Sequence, residues 1–152
     1  MTSRIINVLF LGRGNCARSI FAEAYLNSRN SHFKGYSAGA EPRGNIHPLA
    51  YAMLINWNLS AKGLRSKGWQ EFVGPTATPL DLVVHLVGED TSQQYPTWPN
   101  APAMAKWLIP DPIAVAGPEV IQAQAFISAA MRLKRHIDAL IDSGWLNRQR
   151  KD

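Results

Sequence analysis

The stretch Asn7-Val8-Leu9-Phe10-Leu11-Gly12-Arg13-Gly14-Asn15-Cys16-Ala17-Arg18-Ser19-Ile20-Phe21-Ala22-Glu23-Ala24 passes from an apolar run through a short turn into a helical pattern. A strand, a tight turn and a helix in that order outline an anion site. Gly12, Gly14 and Asn15 tolerate positive φ, so the turn can aim successive backbone N–H groups inward, and the helix adds the positive end of its dipole. Arg18, where the helix begins, can fork two N–H donors onto a tetrahedral oxyanion, and Arg13 supplies a second cation nearby. The reading therefore assigns anion contacts to Gly12, Arg13, Gly14, Asn15, Cys16, Ala17, Arg18 and Ser19.

Outward from this turn, strand and helix signals alternate. Residues 5–11 are too short for a helix and too apolar for a half-exposed strand, so they read as a central parallel strand. The first helix starts near Ala17 or Arg18, places Ile20, Phe21, Ala24, Tyr25 and Ser28 on one side, and closes at Arg29-Asn30-Ser31. A second strand is predicted over 34–38, ended by Gly39 and Pro42. Asn45-Ile46-His47-Pro48 opens a second helix with Leu49, Met53, Leu54 or Ile55, and Trp57 as its apolar face. Residues 63–72 read as a packing connector, 80–87 as the third strand, 88–99 as a polar loop and 104–109 as the fourth strand, ended by Pro110-Asp111-Pro112. Gly117-Pro118 caps a long helix to about Asp142, with Ile127, Ala130, Met131, Ile137, Leu140 and Ile141 as its buried face and Gly144 as its stop.

This alternation predicts an α/β protein of flavodoxin-like, three-layer type, with a four-stranded parallel sheet in the order 2-1-3-4 flanked by helices. Ligands of such sheets bind at the carboxyl ends of the strands, where the turn at 12–18, the loop at Gly88 and Pro110-Asp111-Pro112 all begin. A single domain over 1–147 and a short basic tail over 148–152 are expected.

Composition narrows the function classes. Sixteen Lys and Arg against 11 Asp and Glu give a formal charge of +5, and the 46% of hydrophobic residues is globular rather than disordered. The basic excess suits acidic or phosphorylated ligands, yet no aromatic-interleaved basic patch supports nucleic-acid binding. One cysteine excludes an intrachain disulfide and a Cys-rich metal site, and the four histidines at 32, 47, 85 and 136 lack metal-ligand spacing. No signal peptide pattern or membrane-length apolar run is present, so the expected location is cytoplasmic, with no membrane partner. No metal and no cofactor are called for.

The turn, together with Ser37-Ala38-Gly39, Leu64-Arg65-Ser66-Lys67, Trp98-Pro99 and Pro110-Asp111-Pro112, resembles the low-molecular-weight protein tyrosine phosphatases and the arsenate reductases of thioredoxin-coupled type built on the same fold. Their loop reads Cys-x5-Arg-Ser, and Asn15, Arg18 and Ser19 stand where that pattern wants them. The nucleophile's position is Gly12. The resemblance implies that Asp111 corresponds to the general acid that protonates the leaving oxygen. It also implies two relay cysteines, at positions that here carry Gly88 and Tyr95. Three lost thiols fit a naturally degenerate lineage better than a single engineered change.

Cys16, near a helix start and two arginines, is expected to have a lowered pKa. It is the alternative nucleophile, but in-line attack needs a sulfur within roughly 3–3.5 Å of phosphorus beneath the cradle, and residue 16 is expected on the rim. Asn15 is expected to hold the turn in an unusual backbone conformation, Ser19 to cap the helix, His85 to be a core or cleft-wall residue and His47 a helix-start residue. The leading function is a degenerate binder or regulator that keeps a pocket for phosphate, sulfate or an arsenate-like anion. The rivals are an arsenate reductase or phosphatase using Cys16 in a rearranged loop, and a module that holds a phosphorylated or acidic protein partner in a groove bordered by Trp69, Trp98 and Tyr95.

Overall fold

The computed structural model describes residues 4–29, 32–88 and 95–144. The parts of the predicted loop at 89–94, the helix stop at 30–31 and the tail at 148–152 lie outside the described residues. Four strands, β1 (Ile6–Gly12), β2 (Phe33–Gly39), β3 (Leu82–Val87) and β4 (Ala103–Leu108), form one parallel sheet in the order β2-β1-β3-β4. Among the described residues, three α-helices, α1 (Arg18–Arg29), α2 (Pro48–Asn56) and α3 (Glu119–Asp142), follow β1, β2 and β4, and β3 is followed directly by β4.

Strand period sorts the side chains into two layers. Ile6, Val8 and Phe10 of β1, with Leu82, Val84 and Leu86 of β3, join Ile20, Phe21 and Tyr25 of α1, Met53 and Leu54 of α2, and Phe126, Leu133 and Ile137 of α3. All three α-helices thus share the core on one face of the sheet. Leu9, Leu11, Ala38 and Val83 point the other way, onto Phe72, Leu80 and Trp98. That face is covered by the connector and its 3-10 helix, Trp69–Phe72, which forms the third layer.

The apolar face of α3 differs from the sequence reading by about one position. Phe126, Ala129, Ala130, Leu133 and Ile137 are buried, whereas Ile127 and Met131 are exposed. Both sets run at helical spacing, so periodicity alone did not choose between adjacent stripes, and contact with Phe21 and Met53 did. In α2, likewise, Leu54 is buried and Ile55 exposed. Ser28 lies on the exposed side of α1 and donates to the Tyr25 carbonyl.

Register fixes the place of the turn. Ile6 pairs with Phe33 and Gly12 with Gly39, so β1 and β2 end level, and Leu11 faces His85 on the other side. A Cβ at Gly39 would stand 2.6 Å from the Arg13 carbonyl oxygen. Glycine there lets the turn fold back against the end of β2.

Candidate functional site

The turn between β1 and α1 is held from outside by its own carbonyls. The Arg13 oxygen accepts the Glu41 N–H, the Gly14 oxygen accepts the Arg43 N–H, and the Cys16 oxygen accepts the His47 N–H, each at 2.9 Å. Ser66 Oγ also donates to the Gly14 oxygen, at 3.1 Å. With three carbonyls turned outward, the peptide units present their other edge to the cleft. Among the described residues the N–H groups of Gly14, Asn15, Cys16, Ala17 and Arg18 donate to no acceptor. Clustered, unpaired amides at a helix start form an anion-binding concavity.

Asn15 sets the shape of the turn. Its φ is 45° and its side chain is buried. Nδ2 donates to Ser19 Oγ and Oδ1 accepts the Lys67 N–H, both at 2.8 Å. The predicted positive φ is found at Asn15 alone among the turn residues; Gly12 and Gly14 do not adopt it. Their lack of a side chain serves space instead. A Cβ at Gly12 would stand 3.0 Å from Ser19 Oγ, and one at Gly14 3.2 Å from Arg43 Cγ. Ser19 is thus the partner of Asn15 rather than a helix cap.

Arg18 is 8% exposed. Its Nη1 donates to the carbonyls of Ile109, at 2.8 Å, and Leu86, at 3.2 Å, at the ends of β4 and β3. Its Nη2 lies 3.6 Å from Asp111 Oδ2. Burial lowers the Arg18 pKa from its usual value and the Asp111 carboxylate opposes the shift. Asp111 Oδ1 accepts the Ile113 N–H at 3.0 Å and so caps the 3-10 helix Pro112–Ala114. A Cβ at Gly88 would stand 3.6 Å from Arg18 Nη1 and from the Asp111 nitrogen, so the three predicted loops meet in one cleft.

The cleft encloses about 400 Å³ and is lined by residues 12–19 together with Glu41, Arg43, Asp111, Ile113 and Ala114. Sequence reasoning missed Glu41, Arg43, Ile113 and Ala114. The only signal for Arg43 was its place just after Ser37-Ala38-Gly39, between a strand end and a helix start.

Cys16 departs from its reading. The thiol is buried, and desolvation pushes its pKa up; Arg43 and, more weakly, Arg18 pull it down without prevailing, and Asp111 adds to the rise. Proximity to cations was legible, but burial was not. The groove expected beside Trp69, Trp98 and Tyr95 is likewise replaced by packing: Trp69 and Trp98 meet edge to face, Trp98 is buried, and the Tyr95 ring stands against His85. None of the three lines the cleft. His85 is half-buried, its pKa lowered by burial and then by Lys106, while His47 caps α2 by accepting the Leu49 N–H at Nδ1. Among the described residues no cluster of three His, Cys, Asp or Glu side chains could hold a metal, and no helix is long and apolar enough to cross a membrane.

A family model described as low molecular weight phosphotyrosine protein phosphatase matches residues 7–140. The chain belongs to this family. No curated protein matches it in sequence. Among solved structures, an arsenate reductase from Archaeoglobus fulgidus DSM 4304 is 26% identical with a TM-score of 0.66, covering 86% of this chain and 98% of that one. An arsenate reductase in oxidized state is 22% identical with a TM-score of 0.72, and one in the phosphate binding state 21% identical with a TM-score of 0.70. Each of these two covers 91% of this chain and 98% of its own. Gly12 terminates β1 and lines the cleft with no side chain to offer.

Proposed function

We propose that this chain is a catalytically degenerate member of its family that binds a tetrahedral oxyanion, phosphate, sulfate or arsenate-like, and acts as a binder or regulator. The observation that carries the reading is the inverted turn: carbonyls of residues 13, 14 and 16 bonded outward, amides of residues 14–18 without acceptors, and the Arg18 guanidinium anchored beside them. Amides and a fixed guanidinium hold an anion without any covalent step. A relative of the same fold was captured in a phosphate binding state.

Turnover is the weaker reading for two reasons. Gly12 brings no atom that could attack, and the one remaining thiol, Cys16, is held toward its neutral form by burial. Asp111 then serves as counter-charge to Arg18 rather than as an acid in a working cycle. Titrating inorganic phosphate against the protein by calorimetry should give saturable binding that Arg18→Ala loses. Equal responses from the two proteins would remove the proposal.

A further inference from the structure

The site has a second cation that the loop pattern does not account for. Arg43 lies beyond the end of β2, and its stem crosses the turn: a Cβ at Gly14 would stand 3.2 Å from its Cγ and 3.3 Å from its Nε. Its backbone N–H is bonded to the Gly14 carbonyl, which fixes where the side chain starts. Strand order separates it from Arg18. β2 lies on one side of β1, while β3 and β4, whose last carbonyls hold the Arg18 guanidinium, lie on the other. The two arginines therefore approach the cleft from opposite sides of the turn, and the Cys16 thiol responds to both, more to Arg43.

Their charge balance differs. Arg18 faces Asp111 at 3.6 Å, Arg13 faces Glu41 at 3.6 Å, and Arg65 is paired with Glu71. Among the described residues Arg43 has no acidic partner, although it lines the same cleft. The cleft, at about 400 Å³, falls within the range of about 300–1,000 Å³ typical of small-molecule sites. A ligand longer than one oxyanion can therefore reach both sides.

We propose that the ligand carries two anionic groups, a phosphoryl group in the turn beside Arg18 and a second anionic group held by Arg43, so that the site selects diphosphates or phosphorylated acids over inorganic phosphate. This rests on the oxyanion reading above. A guanidinium forks onto an anionic group with two charge-assisted hydrogen bonds, and a second anionic group gives Arg43 such a contact of its own.

Calorimetric titration of the full chain with inorganic phosphate and with pyrophosphate, without divalent metal, tests it. Wild type should bind pyrophosphate about tenfold or more tighter than phosphate. Arg43→Ala should weaken pyrophosphate about tenfold more than it weakens phosphate. Arg132→Ala, which removes an exposed charge on α3 away from the cleft, should keep the preference. Phosphate binding with no preference for pyrophosphate overturns this inference and leaves the oxyanion reading intact. Equal losses in Arg43→Ala and Arg132→Ala overturn it too, because diffuse charge would then explain the preference. Failure of wild type to bind either anion overturns both proposals.

Discussion

Asn15 Oδ1 accepts the backbone N–H of Lys67 at 2.8 Å, binding the turn after β1 to a connector that crosses the opposite face of the sheet. The same side chain donates to Ser19 Oγ, so one buried amide fixes both the entrance of α1 and the outer wall. Asn15→Ala removes both bonds and leaves a residue with a Cβ at φ 45°, where only glycine and asparagine sit at low cost. The expected loss is about 2–4 kcal/mol in urea unfolding, with phosphate binding weakened because the amides lose their alignment. Asn15→Gly should recover about 1 kcal/mol of that loss by relieving the backbone alone. If glycine and alanine are equally destabilising, the left-handed conformation is not where the cost lies.

Behind the turn, Glu23 accepts the Ser37 hydroxyl at 2.6 Å and faces Lys67 Nζ at 3.8 Å, with both charged side chains largely buried. Burial raises the Glu23 pKa above its ordinary 4.5, opposed by the Ser37 hydrogen bond and Lys67. A raised carboxyl pKa means the folded state holds its proton longer than the unfolded chain. This group's contribution to stability is therefore greatest below the unfolded value and falls as pH rises through the folded one. Glu71, lowered by its bond to Arg65, works in the opposite direction over the acid range. The difference between wild type and Glu23→Gln in unfolding free energy isolates the effect: relative to the variant, wild type should lose on the order of 1 kcal/mol as pH climbs from 4 upward. A flat difference would place Glu23 in an environment no drier than water.

For Cys16 the raised pKa predicts slow chemistry. At pH 7 iodoacetamide should modify it about tenfold or more slowly than a free cysteine, because the thiol is both covered and neutral. Cys16→Ser, which keeps the size and the loop backbone, should fold with a stability within about 1 kcal/mol of wild type. Rapid alkylation that phosphate blocks would instead mark an ionised sulfur facing the anion's place.

The sheet was legible because β1 and β3 are mostly buried and read as apolar runs broken only by Asn7 and His85, and because the turn carries residues that few other contexts tolerate together. Stripe choice was not legible. In α3, Ile127 and Phe126 are equally apolar, and only the neighbours in space decide which one is buried. The site was half legible for the same reason. Arg18 and Asn15 act through their places in a local pattern, whereas Arg43 matters because β2 ends level with β1, a register written in no short stretch of residues. The Cys16 pKa failed because proximity to charge can be read along the chain and desolvation cannot.

The proposed degeneracy makes Gly12 the position to test. A Cβ there would stand 3.0 Å from Ser19 Oγ, a contact that a small rotation of the hydroxyl relieves. The added sulfur of Gly12→Cys would leave the end of β1 in the lining of the cleft, beside the amides and Arg18, where an ionised thiol is stabilised. Hydrolysis of a chromogenic aryl phosphate should then appear in Gly12→Cys and be absent from wild type and from Cys16→Ser. Adding Asp111→Asn to Gly12→Cys should lower the rate about 10²-fold or more, as loss of a general acid does. If the double variant matches the single one, Asp111 balances Arg18 and moves no proton. Turnover in wild type that Cys16→Ser abolishes would show that the chain kept its chemistry by another route.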